Sequence, residues 1–182
     1  ILHHLGIRVV LVHGGGPQLD EMQRSLGIEP RMVRGRRITD DRSIDATTMV
    51  LNGLLNTRIL AACPELGIDA IGLSGVDAGL VRANRRPPVK VDHESVDSGF
   101  VGDIVSIDTT VLKKQLDAGL MPVVSPVSSD DAGVVLNINA DTVAASIGAA
   151  LGAEKLILCT GAPGILERKD DPRSLVSYTD LP

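Results

Sequence analysis

Three consecutive glycines, Gly14 to Gly16, stand where a β-branched run gives way to helical periodicity. The run Val9 to Val12 predicts a strand ending just before the glycines, and apolar residues from Leu19 to Leu26 recur at helical spacing after them. Because glycine has no side chain, the N–H groups at this helix N-terminus can approach and hold an anion, and a phosphoryl group fits. The same glycines would also serve as a tight connection between strand and helix.

A cluster of arginines, Arg34, Arg36 and Arg37, precedes a long segment with helical periodicity. A guanidinium can hold a carboxylate through two parallel hydrogen bonds, so this cluster is a candidate site for an acidic substrate. The alternative is a solvated basic turn, because arginine is common on protein surfaces.

Polar residues occupy alternate positions where a predicted strand becomes a helix: Asn137, Asn139 and Asp141. This spacing directs their side chains to a common side, near the edge of the sheet where ligands bind. The alternative is that Asn139 caps the helix and Asp141 lies in its first turn, favoured by the helix dipole. Both interpretations can hold at once.

His13 lies beside the glycines and suggests a general base. Its position at the end of a predicted buried strand, with no acid or nucleophile at a matching spacing, favours a structural role. The sequence contains no serine elbow, zinc-type cluster or pair of glycosidase-like carboxylates, so we expect no protein-held metal. The glycines also match neither the dinucleotide fingerprint nor the P-loop pattern.

Strands and helices alternate along the chain, which predicts an α/β fold with a mainly parallel sheet covered on both faces. Thr39 is the predicted N-cap of a long helix reaching about Ala62, and the segment from Leu80 to Ile107 predicts antiparallel hairpins outside the main sheet. The other predicted strands are Ala70 to Leu73, Met121 to Ser125, Val134 to Asn139 and Lys155 to Cys159; the other helices are Thr109 to Ala118 and an alanine-rich segment ending at Gly152.

Composition narrows the classes of function. The 182 residues, 43% hydrophobic, predict a single globular domain, and a net charge of −5 with one Tyr, one Phe and no Trp argues against a nucleic-acid partner. No apolar run approaches the roughly 20 residues that span a bilayer, so we expect a cytoplasmic protein without a membrane partner. Cys63 and Cys159 are expected to be small buried hydrophobes in a reducing compartment.

Seven motifs together resemble the acetylglutamate kinases in content, order and spacing. They are VVLVHGGGPQLDE (9–21), GRRITDD (35–41), IGLSGVDAGL (71–80), SGFVGDI (98–104), PVVSPV (122–127), NINADTVAA (137–145) and LILCTGAPGIL (156–166). The resemblance implies a three-layer αβα sandwich, the amino acid kinase fold, with β-hairpins near the substrate site. It also implies transfer of a phosphoryl group from ATP, bound with Mg²⁺, to the γ-carboxylate of N-acetyl-L-glutamate in arginine biosynthesis, by a homo-oligomer that is a dimer or a hexamer of dimers.

The resemblance assigns roles to particular residues. Gly15 and Gly16 match the loop that holds the transferring phosphoryl group, and Asp141 matches the aspartate that organises the catalytic groups. The substrate-binding residues are Gly15, Gly16, Arg37, Asn137 and Asn139, and the nucleotide-binding loop comprises Gly161, Ala162, Pro163, Gly164, Ile165 and Leu166. Residues 1–150 would mainly bind the acyl amino acid, and residues 151–182 would begin the nucleotide-binding part of the same domain.

The sequence departs from the family pattern in two respects. The K-x-G-G loop and a second lysine, which offset charge on the phosphoryl group in the family, are absent from residues 1–182. The chain therefore resembles a kinase shortened at both ends, and we expect this stretch alone to transfer phosphoryl groups weakly or not at all. Gly161 also stands where the family commonly has Asp.

Other functions remain open at this stage. A kinase for a carrier-protein-linked aminoadipate or glutamate shares the plan and differs in its substrate pocket. A non-catalytic amino-acid-binding domain, like the kinase-like half of some N-acetylglutamate synthases, would lack turnover. A dinucleotide-binding domain fits least, because its glycine spacing fails.

Overall fold

The computed structural model describes residues 2–33, 36–91, 94–159, 161, 164–168 and 171–177. Within these ranges, the side chains at positions 36, 37, 91, 94 and 172 are outside the description. None of the helices in the described ranges combines the length and apolar character needed to cross a membrane.

The elements alternate largely as the sequence predicts. The strands are β1 (Leu11–Val12), β2 (Arg31–Val33), β3 (Arg36–Ile38), β4 (Ala70–Ser74), β5 (Val81–Arg85), β6 (Val89–Val91), β7 (Glu94–Val96), β8 (Gly102–Ile107), β9 (Met121–Ser125), β10 (Val127–Ser129) and β11 (Val135–Asn137). The α-helices are α1 (Gly16–Ser25), α2 (Asp41–Thr48), α3 (Asn56–Ala62), α4 (Thr110–Asp117) and α5 (Ala140–Leu151); a π-helical segment, Met49–Leu55, joins α2 to α3. Single 3₁₀ turns lie at His3–Leu5, Pro64–Leu66, Asp77–Gly79 and Pro172–Ser174.

Strands β1, β9 and β4 form a sheet that is parallel throughout, with β9 in the centre. Val123 of β9 packs with Leu11 against α3, whereas the next residues, Val124 and Val12, pack against α4 and α5. This alternation follows from the two-residue period of a strand, which sends successive side chains to opposite faces. Helices therefore cover both faces of the parallel sheet, which confirms the predicted α/β fold.

A second sheet has four strands in the order β11, β10, β5, β8, and its pairings are antiparallel except for the link between β10 and β5. The pairs β2–β3 and β6–β7 form separate antiparallel hairpins. The prediction of antiparallel pairing between Leu80 and Ile107, outside the parallel sheet, is confirmed. The two sheets share a core in which Leu80 and Leu136 are fully buried beside Val124.

The long helix is present, but its predicted cap is wrong by one residue. Asp40 has extended backbone angles and its carboxylate accepts a hydrogen bond from the Ser43 N–H at 2.9 Å, so Asp40 is the N-cap. Thr39 instead continues the extended chain and forms a bridge with Gly99. Two acceptor side chains in succession left the sequence pattern ambiguous, and the bridge decided between them.

The predicted strand from Lys155 to Cys159 is also wrong, because these residues have no regular structure. Their apolar side chains are exposed, and Ile157 retains 67% of its surface. A continuous apolar run becomes a strand when a neighbouring strand supplies its hydrogen bonds and cover, and no strand in the described ranges pairs with this run. For the same reason Cys159 is exposed, against expectation, whereas Cys63 is buried as predicted.

Candidate active site

The glycine loop and the start of α5 lie against each other. A Cβ atom placed on Gly14 would be 3.5 Å from the Cβ of Ala140, which is ordinary van der Waals contact. The residues that follow in each segment are Gly15, the cap of α1, and Asp141, in the first turn of α5. The fold thus brings together two groups of candidate residues that are more than 120 positions apart in the sequence.

This contact also brings together the N-termini of two helices. Helix α1 begins at Gly16 and α5 begins at Ala140, so both positive dipole ends lie near the Gly14–Ala140 contact. Each helix end carries the equivalent of roughly half a positive charge on its unpaired N–H groups. Gly15 has no side chain to cap α1, so the first N–H groups of this helix can serve an anion such as a phosphoryl group.

Gly15 is confined by the π-helical segment behind it. A Cβ atom at this position would overlap Cδ1 of Leu55 and lie 2.9 Å from Cδ2 of Leu51. Gly16, one residue later, has open space where a Cβ would be. The loop is therefore packed against the π-helical segment at Gly15 and has free space beside it at Gly16.

His13 is buried and hydrogen-bonded through both ring nitrogens. Its Nδ1 lies 3.0 Å from the Gly14 carbonyl oxygen, and its Nε2 lies 3.3 Å from Nδ2 of Asn56. Burial lowers the pKa of His13 below its ordinary value of 6.5, so the ring is neutral near pH 7. These contacts agree with the structural role predicted for this histidine.

A second group of candidates surrounds Thr39, at the end of β3. The amide of Asn137 donates to the Thr39 hydroxyl at 3.4 Å, and its backbone N–H donates to the Phe100 carbonyl at 2.8 Å. Phe100 N–H donates in turn to the Thr39 carbonyl at 2.7 Å. Gly99 makes this approach possible: its φ is +71°, and a Cβ there would overlap the Thr39 carbonyl oxygen.

Arg37 lies in β3, where it pairs with Met32, two residues before Thr39. The hairpin therefore delivers the backbone of Arg37 to the neighbourhood of Asn137, and its side chain is outside the described part of the structure. Asn137 is three residues from Ala140, a span of at most about 11 Å for an extended chain. The arginine hairpin, Asn137 and the glycine loop thus lie along one continuous region.

Asn139 and Asp141 occupy the positions that the alternative interpretation gave them. The Asn139 side chain accepts from the Thr142 N–H at 2.9 Å, which makes Asn139 the N-cap of α5. Asp141 is exposed in the first turn. Capping uses the side-chain oxygen of Asn139 and leaves its NH₂ group as a possible donor to a ligand.

With this geometry established, comparison with known proteins identifies the family. The sequence pattern of the amino acid kinase family matches residues 1–181. The chain belongs to the amino acid kinase family. It is 47% identical over 167 residues to an acetylglutamate kinase of Methanopyrus kandleri and 46% identical over 187 residues to one of Myxococcus xanthus. These alignments cover 92% and 100% of this chain, which spans 68% and 61% of the two relatives.

Solved structures show the same fold. An N-acetylglutamate synthase of Neisseria gonorrhoeae, determined with coenzyme A and L-arginine, superposes with a TM-score of 0.74 at 30% identity. The superposition covers 90% of this chain and 38% of the synthase. The amino acid kinase fold predicted from the seven motifs is therefore confirmed.

The candidate nucleotide loop of this amino acid kinase chain lies apart from the packed core. Gly161 is exposed, Ile165 retains 73% of its surface, and Leu166 forms a bridge with Leu175. Gly164 has a φ of +147°, and a Cβ there would lie 2.7 Å from Cδ1 of Leu175. Ala162 and Pro163 lie outside the described residues.

Sequence reasoning missed the buried residues that pack behind the candidate site. Asn56 is 5% exposed and donates to His13 and to the Val123 carbonyl, and Asn52 accepts from Ser125. A signal was available, because asparagine is unfavourable inside a helix and two of them, four positions apart, interrupt an otherwise apolar stripe. Such a pattern predicts buried polar partners on a neighbouring element.

Proposed function

We propose that this chain carries the acceptor side of an ATP-dependent kinase that phosphorylates the γ-carboxylate of N-acetyl-L-glutamate. The observation that carries the proposal is the meeting of two helix N-termini at the Gly14–Ala140 contact. Relatives named acetylglutamate kinase, 40–47% identical to this chain, support the choice of substrate. The reaction belongs to arginine biosynthesis, in the cytoplasm, in a homo-oligomer that is a dimer or a hexamer of dimers.

The proposed chemistry needs charge neutralisation more than proton transfer. A carboxylate is already ionised near pH 7, so it can attack without a general base. Its oxygen forms a bond to the γ-phosphorus of ATP while the bond from that phosphorus to the β–γ bridging oxygen breaks, and ADP leaves. Amides of Gly15 and Gly16 at the start of α1 stabilise the charge on the transferring group. A neutral, hydrogen-bonded His13 is compatible with this scheme.

The remaining residues position the two substrates. Arg37 pairs with a carboxylate of N-acetylglutamate that does not react, and Asn137 and Asn139 donate hydrogen bonds to the substrate. Asp141, at the meeting point of α1 and α5, orients the cationic groups of the completed site. The loop from Gly161 to Leu166 contacts the nucleotide.

Mg²⁺ enters this scheme with ATP. The ion usually retains several waters and is held by one or two carboxylates together with substrate phosphates. Asp141 is an exposed carboxylate next in sequence to Ala140 and would be suited to meet the ion that ATP brings, without forming a metal site of the protein's own. When bound, the ion offsets the negative charge of the β- and γ-phosphates.

An acyl phosphate assay tests the proposal. The chain is incubated with ATP, Mg²⁺ and N-acetylglutamate, and hydroxylamine traps the product as a hydroxamate. A second, completed chain joins these residues to the segments of the M. kandleri kinase outside the matched region. We expect the completed chain to form hydroxamate at least about 100-fold faster, because the added segments would supply further phosphoryl-stabilising donors. Binding of N-acetylglutamate without ATP turnover by the completed chain would contradict the proposal.

Two substitutions in the active chain separate catalysis from substrate binding. Asp141→Asn should lower kcat by about 100-fold with little change in KM, as for a group acting mainly in the transition state. Arg37→Ala should instead raise KM for N-acetylglutamate by about 10- to 100-fold, the effect of losing a charge-assisted pair. The matched controls are Glu65→Gln, in the first turn at Pro64–Leu66, and Arg31→Ala, in the same hairpin as Arg37. Equal effects in a variant and its control would remove that residue from the site.

A further inference from the structure

The Gly14–Gly15 peptide is held from one side by a buried chain of hydrogen bonds. His13 Nδ1 contacts the Gly14 carbonyl oxygen at 3.0 Å, and Asn56 Nδ2 contacts His13 Nε2 at 3.3 Å. Asn56 Nδ2 also donates to the Val123 carbonyl oxygen at 3.0 Å, and it lies 3.5 Å from the Leu73 carbonyl oxygen. This series of hydrogen bonds therefore runs from the centre of the parallel sheet, through the start of α3, to the glycine loop.

The partners of Asn56 fix which way its amide group faces. Its nitrogen lies among two backbone carbonyl oxygens, which only accept, so the NH₂ group must point toward them. The amide oxygen lies on the other side, against Gly72, where a Cβ atom would overlap it. Gly72 thus leaves the space that the Asn56 side chain occupies.

The two ring contacts together determine the tautomer of His13. Because the Gly14 carbonyl only accepts, its contact with Nδ1 places the ring proton on that nitrogen, and Nε2 then accepts from the Asn56 amide group. The Nδ1–H group then donates to the Gly14 carbonyl. The peptides of the described chain are trans, so the Gly14 carbonyl and the Gly15 N–H point in opposite directions. Holding the carbonyl toward His13 directs the Gly15 N–H away from it.

We propose that His13 is a positioning residue, which Asn56 locks in one tautomer so that it aims the Gly15 N–H at the transferring phosphoryl group. This inference rests on the proposed function for its catalytic consequence, whereas the tautomer and the hydrogen bonds are independent of it. The same device explains why a histidine next to the phosphoryl site performs no proton transfer: both ring nitrogens are already engaged.

Nuclear magnetic resonance tests the hydrogen bonds without any assay of activity. Long-range ¹⁵N correlation spectra of the chain near pH 7 should show His13 neutral and protonated on Nδ1. In Asn56→Leu the share of the Nε2–H tautomer should rise, because the Gly14 carbonyl alone then selects the Nδ1–H form. A wild-type ring protonated on Nε2 would overturn the inference, whatever substrate the protein uses.

Each of two variants of His13 retains a different one of its two hydrogen bonds. In His13→Asn the side-chain nitrogen replaces Nδ1 and keeps the donor to Gly14, whereas in His13→Gln the longer amide replaces Nε2 and keeps only the contact with Asn56. Both remove the ring, so both lose similar packing. We expect kcat within about twofold of wild type for His13→Asn and about tenfold lower for His13→Gln, with KM for N-acetylglutamate unchanged in both.

The kinetic comparison is made in the acyl phosphate assay, on the chain that shows activity there. Gly72→Ala adds an independent arm, because it displaces Asn56 without altering the loop, and it should lower kcat in the same direction as His13→Gln. Equal kcat values for His13→Asn and His13→Gln would refute the positioning role. If the completed chain with His13 unchanged forms no acyl phosphate but the Nδ1–H tautomer is present, the proposed function fails and the hydrogen-bonded arrangement stands.

Discussion

The two ends of the candidate site are built differently. Between Val9 and Leu151, three clusters of buried apolar residues lie behind the glycine loop, the long helix and α5. From Lys155 onward, the described segments expose most of their apolar side chains, with Ile157 and Ile165 retaining 67% and 73% of their surfaces. The proposed acceptor side is held in place by its own core, whereas the candidate nucleotide loop has little packing to fix it. We therefore expect the first region to supply the precise positioning of a phosphoryl group.

The largest expected effect comes from removing equal apolar volume in each region. Leu136 is fully buried in the core shared by the two sheets, whereas Leu158 is 52% exposed. Leu136→Ala should lower the free energy of unfolding by about 2–5 kcal/mol, because it removes buried surface and leaves a cavity. Leu158→Ala should change it by about 0.5 kcal/mol or less. Urea unfolding monitored by circular dichroism measures both, and equal losses would mean that the second region is packed as well as the first.

Ligand-induced stabilisation is the next largest effect. At a free concentration of 100 times the dissociation constant, a ligand that binds only the folded state adds about 2.7 kcal/mol. N-acetylglutamate should therefore raise the melting temperature of this chain, since its proposed contacts lie between β3 and α5. ATP with Mg²⁺ should raise it less at the same concentration. A larger shift with ATP would reverse the comparison and indicate that the nucleotide stabilises the fold more than the proposed acceptor does.

Within the glycine loop, two adjacent positions offer a closer test. Gly15→Ala places a methyl group against Leu55 and Leu51, which must move, so the free energy of unfolding should fall by about 1–3 kcal/mol. Gly16→Ala enters open space in the first turn of α1 and should stabilise the fold by about 0.4–1 kcal/mol. Chemical denaturation of the two variants provides the comparison. Similar losses for both would indicate that the loop is not packed on the π-helical segment.

The contrast between the regions also explains what the sequence could predict. The strand Met121–Ser125 and the helix Ala140–Leu151 agree closely with their predictions, because their patterns are satisfied by neighbours within the chain. Lys155 to Cys159 has an equally clear apolar pattern and no pairing strand in the described ranges, so the prediction failed there. A local pattern states a preference for a strand, and a partner is needed to realise it.

The sequence likewise predicted some contacts of the candidate site and missed others. The meeting of the glycine loop with α5 was expected, because both groups of residues were assigned to one ligand site, although β11, which precedes α5, pairs antiparallel with β10 outside the parallel sheet. The support behind the loop was not, since the contact of Asn56 with His13 depends on the phase of a helix that contains a π-helical segment. Such a segment changes the residues that face inward relative to a regular α-helix. The sequence does not mark where that change begins.

The smallest expected effect is a dependence of stability on pH that arises from His13. Burial lowers its pKa in the folded state, so protons bind more readily to the unfolded chain. His13 should therefore add no pH dependence to the free energy of unfolding above about pH 6.5, and this free energy should decline as the pH falls from there toward the lowered pKa.

The Asp40 carboxylate, whose pKa is lowered below 3.8 by its hydrogen bonds from Ser43, loses its contribution only at more acidic pH. Urea unfolding of wild type and His13→Asn is therefore compared between about pH 5 and 8, which spans the ordinary pKa of His13 and lies above that of Asp40. The difference between wild type and His13→Asn should shrink as the pH decreases, because asparagine does not titrate. A constant difference would mean that His13 titrates alike in the folded and unfolded chains, and that its ring is not enclosed by the core that distinguishes the first region.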